Sequence, residues 1–459
     1  MALGRAGIAA RLAIAAAAGA GAAYIASRPT LVPWPAKVRP AFIGLVGTKG
    51  AGLAWLAAGA VGVRGGPGPS LTRRAVRSAA VAAAVTGAVV GGNAALPRVS
   101  RRLEGGGRTL DEGFSEPPAD PHVSGSPASL VAHDTLGREG ARLVGDVVPA
   151  ETIEYVTGRP AHRGGVRVFV GIDSADSVEE RVELAIAELH RTGGFDRAHL
   201  LVESPAGSGY ANPNPVDILE ILSLGDSAVV VVGYGLLPSF LSLDRVELAA
   251  RTQKLLLDRI REELSGRERR PRLLLYGESL GARVQQAAIP GGSADLDAYG
   301  VDGALWVGTP GGRASVAFHE AVAGESLTID RPDQIPDPLP QPRPRVWFLE
   351  HDGDPVVRFE PSISRRRPGW LAQRPRGRNV PEGMVWFPGI TWAQVLVDTV
   401  FATNIRPGKF ESRGHDYRAD LGGTVPLALG FDVDEGVSRR LEETLREREI
   451  ARAQRLGEA

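Results

Sequence analysis

Apolar positions along the 459-residue chain fall into two regimes. In the first hundred residues they form three long stretches, at about 12–26, 41–63 and 78–96, separated by short segments rich in Arg, Pro and Gly. Each approaches the roughly 20 residues that a helix needs to cross a bilayer. Residues 1–98 are therefore expected to be a helical transmembrane region, making this a multi-pass protein of the cell membrane. Two other readings stay open. Arg5 and Arg11 ahead of an alanine-rich core also fit a signal peptide. The abundance of Ala and Gly, with Lys49 inside the second stretch, also fits buried helices of a soluble domain. Arginines flank both ends of the stretches, so the side of the membrane facing the rest of the chain is not determined.

From 129 onward the pattern changes to short apolar runs alternating with helical periodicity. VRVFVGI (166–172), HLLVES (199–204), SAVVVVGYG (227–235), RLLLYG (272–277), GALWVG (303–308) and RVWFLEH (345–351) suit strands buried on both faces. Between the first two, Ser177 and Glu180 form a capping box ahead of an apolar face made by Val178, Val182, Ala185 and Leu189. A second helical pattern runs from 244 to 264. Strand, helix, strand at this rhythm predicts an α/β fold with a mostly parallel sheet covered on both sides by helices. Residues 99–128, rich in Gly, Pro and Asp, read as a flexible linker. Residues 129–432 form the expected catalytic domain, and 433–459 a charged, solvated C-terminal helix held by weak ion pairs.

Composition narrows the chemistry. Lys plus Arg and Asp plus Glu are 53 each, so no global charge favours nucleic acid. Cysteine is absent, which excludes disulfides, thiolate metal sites and a cysteine nucleophile.

The candidate chemistry lies in RLLLYGESLGARVQQAA. There Gly277-Glu278-Ser279-Leu280-Gly281 falls where a buried strand hands over to a helix, the setting of a nucleophile elbow. An incidental turn serine is the plain alternative. A serine hydroxyl needs a neighbouring base. Of the eight histidines only His319, His351 and His415 follow Ser279, and only His415, in SRGHDYR, also follows the candidate acid. That acid comes from LEHDGDPVV, just beyond a strand: Asp354 is the choice and Asp352 the alternative. His351, Asp352 and Asp354 also admit a metal-cluster reading, which lacks a further converging ligand. An oxyanion needs two N–H donors. The backbone N–H of Leu280 is one candidate, and that of Ala206 in SPAGSGY the other, because Pro205 has none. No metal and no organic cofactor is expected.

Longer segments carry a resemblance. SLVAHDTLGREGARLV, VRVFVGIDSADSVEERVELAIAELHRTGGFDRAHLLV, LLPSFLS, YGESLGA, DGALWVGTP, HDGDPVV, RPGWL, WFPGITW and GHDYR resemble, in order, the signatures of the membrane-anchored alpha/beta-hydrolase family of actinobacterial type. SRPTLVPWPAKVRP is similar to that family's first loop. The membrane region is shorter than the family's, and Gly233 and Gly235 stand where the family has bulkier residues. The resemblance implies an α/β-hydrolase fold and a Ser279, Asp354, His415 triad. It names no substrate. The expected function is a membrane-tethered serine hydrolase, esterase- or lipase-like, acting on a hydrophobic or lipid ester near the bilayer. Its rivals are an acyltransferase with the same triad and a silent binding module. The apolar stretch 384–401 is expected to pack as core, with the lining of an acyl pocket as the alternative, and Gln394 and Asp398 argue against a further span there.

Overall fold

The computed structural model describes residues 5–60, 106–236, 246–402 and 412–457. The chain divides into two compact units, one made of 1–101 and 359–402, the other of 102–358 and 403–459.

The larger unit is built on a seven-stranded sheet. Its strands are β1 (Val166–Val170), β2 (His199–Ser204), β3 (Ser227–Val232), β4 (Arg272–Glu278), β5 (Val301–Val307), β6 (Ser326–Ile329) and β7 (Val346–Leu349). They run in the order β1-β3-β2-β4-β5-β7-β6, and every pairing is parallel. Six strands coincide with the apolar runs. The seventh, β6, escaped because SLTI is short and half-exposed, as an edge strand's periodicity is weak. β1 and β3 are buried at every position, including Arg167. A buried guanidinium is tolerable only when paired, and Arg167 is held by Glu220 at 2.7 Å and Asp217 at 2.8 Å. All carboxyl ends of a parallel sheet lie on one edge, so the loops after β2, β4, β5 and β7 meet there.

The helix Val178–Arg191 forms with both halves of its capping box, Ser177 accepting from the Glu180 N–H and Glu180 accepting from the Ser177 N–H. The second helical pattern forms as Val246–Leu264. Two expectations at the edges of this unit need correction. The expected linker is anchored at points in its described part: Phe114 is buried beneath the Arg455 guanidinium, 3.8 Å from its ring centroid, and Val123 bridges to β1. The C-terminal helix, Glu435–Arg455, is not merely solvated. It buries Leu441, Leu445 and Ala453, and its Arg448 and Arg452 reach the buried carboxylate of Asp217.

The smaller unit contains the helices α1 (Arg5–Ala26) and α2 (Val38–Ala60) and the insertion 359–402. α1 and α2 run antiparallel at close range. A Cβ on Gly19 would lie 2.8 Å from that of Ala51, and one on Gly50 2.7 Å from that of Ala22. Here the sequence expectation of transmembrane spans is not supported. The first two stretches do form helices, but among the described residues no helix is long and apolar enough to cross a membrane. The reason lies in composition, since Ala and Gly permit close helix packing while adding little hydrophobicity. The third stretch lies outside the described residues, as does most of LLPSFLS.

The insertion packs as core within this unit. Leu371, Val380, Met384 and Val395 cluster with Leu31. The helix Ile390–Val400 turns Asp398 inward, where the carboxylate accepts from the Leu31 N–H at 3.1 Å and the Trp34 indole at 2.5 Å.

Candidate active site

β4 ends at Glu278, and a helix begins at Leu280. Ser279 between them has φ 56° and ψ −126°, a positive φ that an L-residue adopts only under constraint. The constraint is visible on both sides. The Ser279 N–H donates to the Val307 carbonyl at 2.9 Å. A Cβ on Gly277 would sit 2.8 Å from the Ala282 backbone, and one on Gly281 would sit 2.1 Å from the Ser204 carbonyl oxygen. Only glycine allows this strand-to-helix approach, so the spacing read in the sequence has a steric cause.

His415 sits on a tight turn after Gly414, which has φ 61°, just before the helix Arg418–Ala428. Its ring is carried to the elbow's neighbour strand, since a Cβ on Gly308, the residue after β5, would fall 2.7 Å from His415 Cε1. Nδ1 of His415 meets Asp354 Oδ2 at 2.6 Å. Nε2 is buried and has no hydrogen-bond partner among the described residues. Burial opposes a charge on His415, but Asp354, then Glu278 and Asp416, outweigh it and raise its pKa above the usual imidazole value.

Asp354 is fully buried and begins a turn, its Oδ1 accepting from the Val356 N–H at 2.8 Å. Its Oδ2 also accepts from the Tyr417 hydroxyl at 2.6 Å. These donors hold the carboxylate in one orientation toward the imidazole. Asp352 is engaged elsewhere, pairing with Arg358 at 2.8 Å. The side chains of the alternative metal cluster diverge, for His351 turns its Nε2 to Asp420 at 2.7 Å and stacks on Tyr417.

The oxyanion candidates separate. Leu280 is the first residue of the helix after the elbow, a position whose N–H has no intrahelical partner. Ala206 does not fit as expected. Its N–H donates to the Tyr210 carbonyl at 2.8 Å, so the SPAGSGY loop closes on itself and that donor is already used. Sequence could not show this, because a loop's internal bonds depend on where the chain returns.

Residues not singled out also gather here. Tyr417 ties the acid to the histidine loop, and its place two residues after His415 in GHDYR was the available signal. Glu278 accepts from Asn212 Nδ2 at 2.6 Å and from the Tyr276 hydroxyl at 2.9 Å. A polar residue flanking the elbow serine and an i, i+2 pair on one strand face were the clues.

Comparison with curated proteins and with solved structures gave no match. A family model described as the alpha/beta-hydrolase family matches residues 166–425, more than half of the chain, from β1 through the histidine loop. With a parallel sheet, a strained serine between strand and helix, and an acid and a histidine following in that order, the chain belongs to the alpha/beta-hydrolase family.

Proposed function

We propose that this protein is a serine hydrolase that cleaves esters through an acyl-enzyme intermediate, with Ser279 as nucleophile, His415 as base and Asp354 as the orienting acid. The observation that carries this reading is the state of His415. Its Nδ1 is clamped by a buried carboxylate, its Nε2 is buried and without a partner among the described residues, and its ring rests against Gly308, the residue after the Val307 that accepts from the Ser279 N–H. An imidazole held so has its basic nitrogen reserved for a proton from a nearby hydroxyl.

In this mechanism Ser279 Oγ attacks the acyl carbon as its proton passes to His415 Nε2. The imidazolium is stabilised by Asp354, and the oxyanion forms toward the Leu280 N–H. The leaving alcohol then takes the proton from Nε2. Water, activated by the same nitrogen, releases the acid in the second half-reaction.

The proposed substrate is a hydrophobic or lipid ester reached at a membrane surface. In support, Leu12, Ile14, Leu45 and Leu53 on α1 and α2, and Phe387, Leu396 and Val400 in the insertion, are all exposed large apolar side chains of the smaller unit, of the kind that lipid contact would cover. Labelling with a fluorophosphonate tests the chemistry. The adduct is expected on Ser279, and is expected to be lost in Ser279→Ala and His415→Ala. A folded wild type that takes no label would overturn the reading. Flotation with phosphatidylcholine vesicles tests the surface, and protein left at the bottom of the gradient would remove the lipid part alone.

A further inference from the structure

Two carboxyl groups lie behind the elbow, and the acyl-transfer chemistry above uses neither. Glu203 is on β2 and Glu278 on β4, and both are placed at the carboxyl edge by the parallel register, which pairs Glu203 with Tyr276. One residue links them. The backbone N–H of Asn212 donates to Glu203 Oε1 at 2.6 Å, and its side-chain amide donates to Glu278 Oε2 at 2.6 Å. Asn212 is itself fixed as the cap of the helix Pro213–Leu222, its side-chain oxygen accepting from the Asn214 N–H. The Tyr276 hydroxyl gives Glu278 a second donor. Glu203 Oε2, by contrast, is buried with no partner among the described residues.

Tying a loop to the elbow would need only a neutral acceptor such as glutamine, so the carboxyl at 278 asks for another cause. Its position supplies one. Glu278 stands in register with Val307 on β5, and the residue after Val307 is Gly308, against which the His415 ring rests. Glu278, half-buried at the end of β4, and the buried His415 ring beside Gly308 therefore lie along the same edge of β4 and β5, and each favours the other's charge.

We propose that Glu278 is a positioning residue for catalysis, a second carboxylate that stabilises the His415 imidazolium formed as Ser279 gives up its proton. Asn212 and Tyr276 donate to Glu278 and so favour its charged form, whereas Glu203 Oε2 has no such donor among the described residues. This rests on the reading of Ser279, His415 and Asp354 given above.

Electrostatics agree in direction. Burial raises the pKa of both carboxyl groups, that of Glu203 well above the usual range. For Glu278 the Asn212 hydrogen bond, the His415 charge and the Tyr276 hydroxyl pull back toward ionisation. The other groups facing the pair are Tyr210, Asp416 and, from β1, Arg167. Those facing His415 are Asp354, Asp416 and Tyr417, with Arg418 paired to Asp416.

The test follows the rate of Ser279 labelling by a fluorophosphonate as a function of pH, in wild type and Glu278→Gln. Glutamine keeps an acceptor for Asn212 and Tyr276 but carries no charge. The acid limb is expected to move down by about one pH unit, and the plateau rate to fall about tenfold. KM for p-nitrophenyl butyrate should stay unchanged while kcat falls, a split that a merely structural role would not produce. Should Glu278→Gln fail to fold, Tyr276→Phe removes one donor to the carboxylate and must shift the limb in the same direction. Label on wild type Ser279 with superimposable profiles in the variants overturns the role of Glu278 alone. Absence of label on wild type overturns this proposal together with the triad reading beneath it.

Discussion

Gly308→Ala is the substitution whose consequence the geometry defines most closely. Gly308 has φ 58°, in the left-handed region, and an added Cβ would stand 2.7 Å from His415 Cε1 and 2.7 Å from Tyr417 Cε2. Carbon atoms pack at roughly 3.5–4.0 Å, so one or both rings must retreat by about 1 Å. Tyr417 and His415 both bond to Asp354 Oδ2 at 2.6 Å, so neither can retreat without stretching the bond that orients the base. A misplacement of about 1 Å in a catalytic group costs about 100-fold in rate. The left-handed backbone adds about 1–2 kcal/mol of destabilisation. The expected result is therefore a melting temperature lowered by a few degrees and a kcat/KM for p-nitrophenyl butyrate lowered by about 100-fold. Calorimetry and steady-state kinetics on one preparation separate the two effects. A folded Gly308→Ala enzyme with activity within about twofold of wild type would refute the claim that His415 works from the position seen here.

Three further outcomes follow from the same geometry. Asp354→Asn, which can present an amide N–H to His415 Nδ1 and so favour the wrong tautomer, is expected to lower kcat by about 10⁴-fold; Asp352→Asn, which loses only a partly exposed pair with Arg358, should stay within a few-fold, and equal losses would unseat Asp354 as the acid. Because the base must be neutral and its pKa is raised by Asp354, Glu278 and Asp416 against burial, activity should fall as pH drops through a midpoint above 6.5; a midpoint below 6.5 in a pH series of kcat/KM would contradict this. In the smaller unit, burial lifts Asp398 from 3.8 to about 7 despite the Trp34 and Leu31 donors. The folded form then holds a proton that the unfolded form has lost, so stability of that unit should decline as pH rises through this interval and level off above it. Asp398→Asn should flatten that decline in thermal melts, and a slope equal to that of wild type would disprove the link.

How much was legible in advance differs by residue. The elbow could be read directly, because Gly277, Ser279 and Gly281 answer to local sterics and their neighbours in sequence are the strand and helix they join. His415 could be reached by elimination, because few histidines follow the serine. The choice between Asp352 and Asp354 could not be closed from a strand end alone. Only the folded chain shows Asp354 against the His415 ring and Asp352 paired with Arg358. Ala206 was misjudged for a related reason, since a donor's availability depends on the carbonyl that comes back to meet it.

Periodicity in the chain determined the six apolar strands, the capped helix and hence the α/β class, because burial on both faces of a parallel sheet leaves a repeat that survives in one dimension. Tertiary structure alone decided that the insertion after the acid folds with the N-terminal helices, and that Asp398 is buried among them. It also decided that Glu203 and Glu278 share one asparagine behind the serine. Those pairings join residues from nine to hundreds of positions apart, and their energy comes from desolvation and from directional hydrogen bonds. Neither exists until the folded chain has brought the partners together and excluded water.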